Sequence, residues 1–76
     1  MTEQNKKYLG QIIKNRRKEK KLTQKYLAQQ TGLSRNYLSD LEHGRYVPSV
    51  DALIRIATIL ELDLNSLKSI NINGVI

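Results

Sequence analysis

Cysteine, tryptophan and phenylalanine are absent from these 76 residues, and proline and histidine occur once each. Without cysteine there is no disulfide framework, thiolate metal site or thiol nucleophile. A single histidine, His43, excludes any multi-histidine metal centre. It stands beside Gly44, where a helix is expected to end, and a cation there favours the helix dipole without further purpose. No apolar run approaches the roughly 18 residues of a membrane span. The polar start from Met1 to Lys7 does not read as a signal peptide. Glycines stand singly at 10, 32, 44 and 74, so no phosphate-cradling loop is present. Ser39, Asp40 and His43 assemble into a hydrolytic set only on paper, because all three would share one short exposed helix without oxyanion donors. Neither an enzyme, a cofactor nor a metal site is expected.

What the chain does have is positive charge, unevenly placed. The formal net charge is +6. Residues 1–38 hold ten basic and two acidic side chains, while residues 39–76 hold three basic and five acidic ones. A basic half points to a polyanion, either nucleic acid or an acidic membrane surface. A chain of this length makes one small domain with a modest core, expected to be soluble and cytoplasmic.

Punctuation divides residues 6–68 into about five short helices. Leu9, Ile12, Ile13 and Arg16 follow a helical stripe in the first. Thr23 is placed to cap a second helix carrying Leu27 and Ala28, and Ser34 a third carrying Leu38 and Leu41, with Gly44 at its end. Pro48 breaks the chain, Ser49 caps the most apolar helix, and Asp63 is expected to cap a last turn or two with Leu64 and Leu67. The tail, residues 69–76, alternates apolar and polar side chains around Ile70 and Ile72, which reads as strand-like. The expected core is Leu9, Ile13, Leu22, Leu27, Ala28, Leu33, Leu38, Leu41, Leu53, Ile56, Ala57, Leu60 and Leu67.

Residues 24–43 carry the functional signal. Two short helices meet at a turn containing Gly32, a small residue lies four positions before it, and Leu38 and Leu41 seat the second helix on the core. This is the helix-turn-helix layout, whose second helix enters the major groove. Arg35 can bind guanine O6 and N7, Asn36 can bind adenine or a phosphate, and Asp40 can accept from cytosine N4. The plainer alternative for Asp40 is to neutralise Arg35 or hold the Asn36 amide. The run from Lys14 to Lys21 is mostly a solvated face, yet as a set it raises non-specific affinity for a polyanion. Lying on a membrane would withdraw that helix's apolar stripe from the core, so no membrane partner is expected. Single-stranded RNA is disfavoured because no stacking platform is visible.

The stretch from Leu22 to Ser49 resembles the phage repressor/Cro-like helix-turn-helix family, also called the xenobiotic-response-element family, and the likeness extends over roughly residues 8–68. The resemblance implies an all-α, five-helix DNA-binding domain, usually a dimer on a palindromic operator. It implies that Gln24 binds phosphate and braces the first recognition side chain. Arg35, Asn36, Ser39 and Asp40 fall at the exposed positions of the recognition helix. Lys25, Arg45 and Tyr46 fall near the DNA backbone, and Lys14 belongs with them. Tyr37 has two roles open, packing beside Leu41 or donating its hydroxyl to phosphate. Arg17 and Glu42 match a family pair joining the first helix to the end of the third, a structural role rather than a DNA contact. Lys21 and Glu61 stand where the family often has glycine, and Arg16 where it is often apolar.

The expectation is therefore a single domain over residues 1–76, binding double-stranded DNA as a sequence-specific transcriptional regulator, most readily a repressor. The alternative is a protein-interaction module of the same fold, of the antitoxin or antirepressor-binding type. Dimerisation is expected through Ile54, Ile59, Leu62, Leu64 and the tail residues Ile70, Ile72, Val75 and Ile76. With no room for an effector domain, regulation is expected from concentration, a regulatory protein partner or proteolysis.

Overall fold

Every helix in the described part of the chain starts at a hydroxyl and ends at a left-handed residue. That part is residues 2–63 of a computed structural model. It contains α1 (Glu3–Glu19), α2 (Gln24–Thr31), α3 (Arg35–Glu42) and α4 (Val50–Leu60). Thr2, Thr23, Ser34 and Ser49 each accept, through the side-chain oxygen, the backbone N–H three residues on, at 3.0 to 3.1 Å. Three of these caps follow from the sequence pattern. The fourth, Thr2, starts α1 earlier than the apolar stripe suggests.

The left-handed residues are Lys21, Gly32, Gly44 and Glu61, with φ of 59°, 72°, 74° and 52°. Beyond each, an N–H folds back to a carbonyl five residues earlier. The pairs are Leu22 to Arg17 at 3.0 Å, Leu33 to Ala28 at 3.1 Å, Arg45 to Asp40 at 2.9 Å and Leu62 to Ala57 at 2.8 Å. This is the Schellman closure, and the apolar residue after the turn packs back on the helix. Leu22, Leu33 and Leu62 do so, each half-buried against the core. Gly32 and Gly44 take the left-handed conformation freely, whereas Lys21 and Glu61 hold it against a Cβ clash of about 1–2 kcal/mol each.

α1 packs on α3 and α4, and α2 packs on the same two helices. Leu9, Ile13, Leu27, Leu38, Leu41, Ile56 and Leu60 are almost wholly buried between them, with Ala28 beside them. Ala52 and Ala57 are buried too; Ala52 is absent from the core read from the sequence. Ile12, Leu53, Ile59 and Tyr37 line the edge of this core. Among the described residues the fold is all-α, with four helices and no strand. The expected fifth helix with Leu64 and Leu67, and the strand-like tail with Ile70 and Ile72, lie outside the described residues.

α1 and α3 approach so closely that a Cβ on Gly10 would stand 2.3 Å from the Leu41 carbonyl oxygen and 2.8 Å from that of Glu42. Gly10 is thus the point where the first helix rests on backbone. Long cations then close helix ends that the Schellman bonds leave open. Arg16 Nε donates to the Leu60 carbonyl at 2.9 Å, and Arg55 Nη1 to the Thr31 carbonyl at 3.2 Å. The Arg16 position therefore tolerates a charge because its guanidinium reaches the last turn of α4. Lys20 meets Glu61 at 2.9 Å beside it.

Candidate nucleic-acid interface

α2, the three-residue connection 32–34 and α3 form a helix-turn-helix unit. Its inner side is closed by Leu27, Ala28, Leu38 and Leu41. Thr31, buried at the end of α2, donates its hydroxyl to the Leu27 carbonyl at 2.7 Å, so its polar atom is satisfied within its own helix. With Leu38 and Leu41 fixed inward, the helical repeat turns Arg35, Asn36, Ser39 and Asp40 to the other side. Arg35 and Asn36 are exposed, while Ser39 and Asp40 are half-buried. Tyr37 stands between the two sides and packs half-buried against the core.

Behind this unit lies a three-helix polar junction. Arg17 of α1 meets Glu42 at the end of α3 through two parallel bonds, Nε to Oε2 at 2.7 Å and Nη2 to Oε1 at 3.0 Å. The Arg17 Nη1 donates to the Leu22 carbonyl at 2.7 Å. Both residues are buried. A bidentate guanidinium–carboxylate pair with its remaining groups satisfied is the form in which a buried pair is tolerable. Gln24, at the head of α2, adds a third donor: its Nε2 reaches Glu42 Oε1 at 3.0 Å. The resemblance assigned Gln24 to phosphate and to the first recognition side chain; in the free protein its amide is held by Glu42.

Asp40 is held by Arg45, Nη1 to Oδ1 at 2.7 Å, rather than by Arg35 or Asn36. One carboxylate oxygen on the outer side of α3 is therefore already engaged within the protein. His43 closes the same helix: its Nδ1 lies 2.7 Å from the Ser39 carbonyl. A carbonyl only accepts, so that ring nitrogen carries the proton. Tyr46 is exposed in the connection to α4, and Lys25 is exposed on the first turn of α2. Lys14 is half-buried on α1.

The cations divide in an informative way. Lys6, Arg16, Arg17, Lys20, Arg45 and Arg55 each meet an acid. Among the described residues, Lys7, Lys14, Lys18, Lys21, Lys25 and Arg35 are in no ion pair. All six belong to α1, the turn after it, or the heads of α2 and α3. The carboxyls of Glu3 and Glu61 are held below their ordinary value, first by hydrogen bonds from Lys6 and Lys20 respectively and then by those charges. Among the described residues no cluster of three or more His, Asp or Glu could hold a metal ion.

Caps, turn, seated α3 and unpaired cations together define a small helix-turn-helix domain. Sequence comparison agrees: the helix-turn-helix family matches over residues 13–67, and the chain belongs to that family. It is 54% identical over 69 residues to the ImmF control region 10 kDa protein of Bacillus phage phi105, covering 91% of this chain and 77% of that protein. It is 46% identical over 59 residues to the immunity repressor protein of the same phage, covering 78% of this chain and 41% of that protein. With the HTH-type transcriptional regulator SlrR of Bacillus subtilis the identity is 38% over 60 residues, covering 78% and 40% of the two chains. The match thus spans about two fifths of the length of the latter two relatives.

The residues that act across helices carry little local signal in the sequence. Gly10 shows no local sign of its close approach. Arg16 and Arg55 look like surface charge until the carbonyls they reach, 44 and 24 residues away, are known. For Asp40 there was a signal: Arg45 lies five residues on, past a helix end that turns the chain back.

Proposed function

We propose that the protein is a sequence-specific regulator of transcription that binds double-stranded DNA, most readily as a repressor. In this reading α3 enters the major groove and reads bases with Arg35, Asn36, Ser39 and Asp40. Gln24, Lys25, Arg45, Tyr46 and Lys14 hold the backbone. The observation that carries it is the state of Arg35 and Asn36. Both are exposed at the head of a well-seated helix, with no side-chain bond to another residue. Arg45 beyond the end of α3, Arg55 of α4 and the junction behind them are engaged internally. Unpaired Arg and Asn are the donors that suit guanine and adenine edges. The relatives named as an immunity repressor and a transcriptional regulator support the same reading.

A homodimer on a palindromic operator is the second part of the proposal. On α4, Val50 and Ile54 are 74% and 55% exposed one turn apart. Ile54, Ala57, Thr58 and Leu62 enclose an open groove of about 190 Å³ beside them. Ile59 and Leu62 lend only part of their surface, since both also pack on the protomer's own core. Two such domains on one face of the duplex would place half-sites about 34 Å apart.

Mobility shift on random duplex across a salt series, followed by in vitro selection, tests the first part. If about six cations met phosphates the slope of log K against log salt would be near −5 per protomer, which sets its steep limit. A selected set showing an inverted repeat supports the whole reading. Binding without a salt slope, or selection that enriches nothing, sinks it and leaves the protein-interaction alternative. Sedimentation decides the dimer separately. No helix among the described residues is long and apolar enough to cross a membrane.

A further inference from the structure

We infer that Glu42 is a positioning residue for DNA binding, acting through Gln24. The inference rests on the reading above, in which Gln24 meets a phosphate. A carboxylate only accepts hydrogen bonds, so the Gln24 amide must turn its nitrogen to Glu42 Oε1, at 3.0 Å. That fixes which way the amide faces. One N–H is taken by Glu42, the second N–H stays available to a phosphate oxygen, and the amide carbonyl stays available to a donor such as Asn36 or Arg35. Without the anchor, a glutamine side chain would have to be ordered from many rotamers each time DNA bound.

The anchor itself is unusually well held. The Glu42 side chain is 1% exposed. Both of its oxygens are already engaged by Arg17, at 2.7 and 3.0 Å, and Arg17 is tied in turn to the Leu22 carbonyl at 2.7 Å. The head of α2 is therefore oriented by a carboxylate at the tail of α3, which a guanidinium from α1 immobilises. The pair is buried and net neutral, so it contributes nothing directly to phosphate attraction. Its effect on DNA must pass through the group it orients.

The test is a cycle of full-length variants measured by anisotropy on random-sequence duplex. Gln24→Ala is expected to weaken binding about tenfold, the size of one hydrogen bond to a charged group. Arg17→Met with Glu42→Leu replaces the buried pair by apolar side chains of similar bulk, an exchange that is often neutral or stabilising. This pair of changes is expected to weaken binding by a similar factor, with the melting temperature kept and the salt slope unchanged. Adding Gln24→Ala to it should cost nothing more. Wild-type affinity in the folded Arg17→Met, Glu42→Leu protein, or losses that multiply to about a hundredfold in the triple variant, overturns the inference.

A nuclear magnetic resonance measurement on the unaltered protein stands apart from any folding failure. It should find the Gln24 side-chain amide rigid, with one proton slow to exchange; an amide that averages freely overturns the inference. The two levels separate cleanly. If wild-type protein binds duplex but Gln24→Ala is harmless, the positioning role falls and the DNA reading stands. If the wild type binds no duplex, the reading itself falls.

Discussion

Replacing Gly10 by alanine sets two rules against each other. Inside an exposed helix the exchange is favourable by about 1 kcal/mol, because alanine is the better helix former. Here the new Cβ would stand 2.3 Å from the Leu41 oxygen, 2.8 Å from the Glu42 oxygen and 3.0 Å from the Glu42 carbonyl carbon. These neighbours are backbone, so no side chain can swing aside. Restoring an ordinary contact requires α1 to retreat from α3 by on the order of 1 Å, in the range where overpacking costs about 1–3 kcal/mol. The same retreat pulls Arg17 from Glu42, whose two bonds at 2.7 and 3.0 Å have little slack. Partial loss of a buried pair adds to the cost, since full loss is worth about 3–5 kcal/mol. The clash should win, leaving a net destabilisation of about 2–4 kcal/mol. In a domain this small each kcal/mol moves the melting temperature by about 4–8 °C. Thermal unfolding followed by circular dichroism should therefore show a fall of more than about 8 °C. An alanine variant as stable as the parent, or more so, would refute the close approach of α1 and α3.

Four further outcomes are expected. Lys21→Gly relieves a left-handed residue that no ion pair holds in place, and should raise stability by about 1 kcal/mol in urea titration; Glu61→Gly should gain less, because it gives up the contact with Lys20. Asp40→Ala removes the carboxylate that competes with phosphate for Arg45, so affinity for random duplex should rise, and an unchanged affinity would show that Arg45 stays off the backbone. Arg35→Ala should relax selection at one base position by about 1–3 kcal/mol, whereas Lys25→Ala should weaken all duplexes alike. Acid titration carries a sign: the Glu61 carboxyl is lowered from 4.5 by Lys20, so its contribution is complete above that value and is lost as the pH falls through the lower folded-state value. Lys20→Met should remove this part of the acid response, and an unaltered acid limb in that variant would count against the pair.

The parts legible in the sequence were those set by neighbours a few residues apart. Thr23, Ser34 and Ser49 advertise helix starts because a hydroxyl three residues before a free N–H is a local device. Leu38 and Leu41 mark the inner side of α3 through spacing alone. The family pattern supplied Arg17 with Glu42, 25 residues apart, which no local rule links. What stayed hidden shares one property: it depends on where helix ends meet in space. Asp40 takes Arg45 because the turn at Gly44 brings the chain back, and Arg16 serves α4 because the two helices finish side by side. Ile59 and Leu62 look surplus to the core until packing shows them half-claimed by it.

The placement of guanidiniums on buried or half-buried carbonyls and carboxylates has a physiological reading. Arg17, and in part Arg16, act over short distances in places that mobile ions reach poorly, where screening is weak. Lys7, Lys18, Lys21, Lys25 and Arg35 stand in open solvent, where their attraction for a polyanion is displaced by counterions. Folding and nucleic-acid affinity therefore respond to ionic strength on different scales. A rise in ionic strength weakens the pull on a polyanion before it reaches the contacts that hold the helices together.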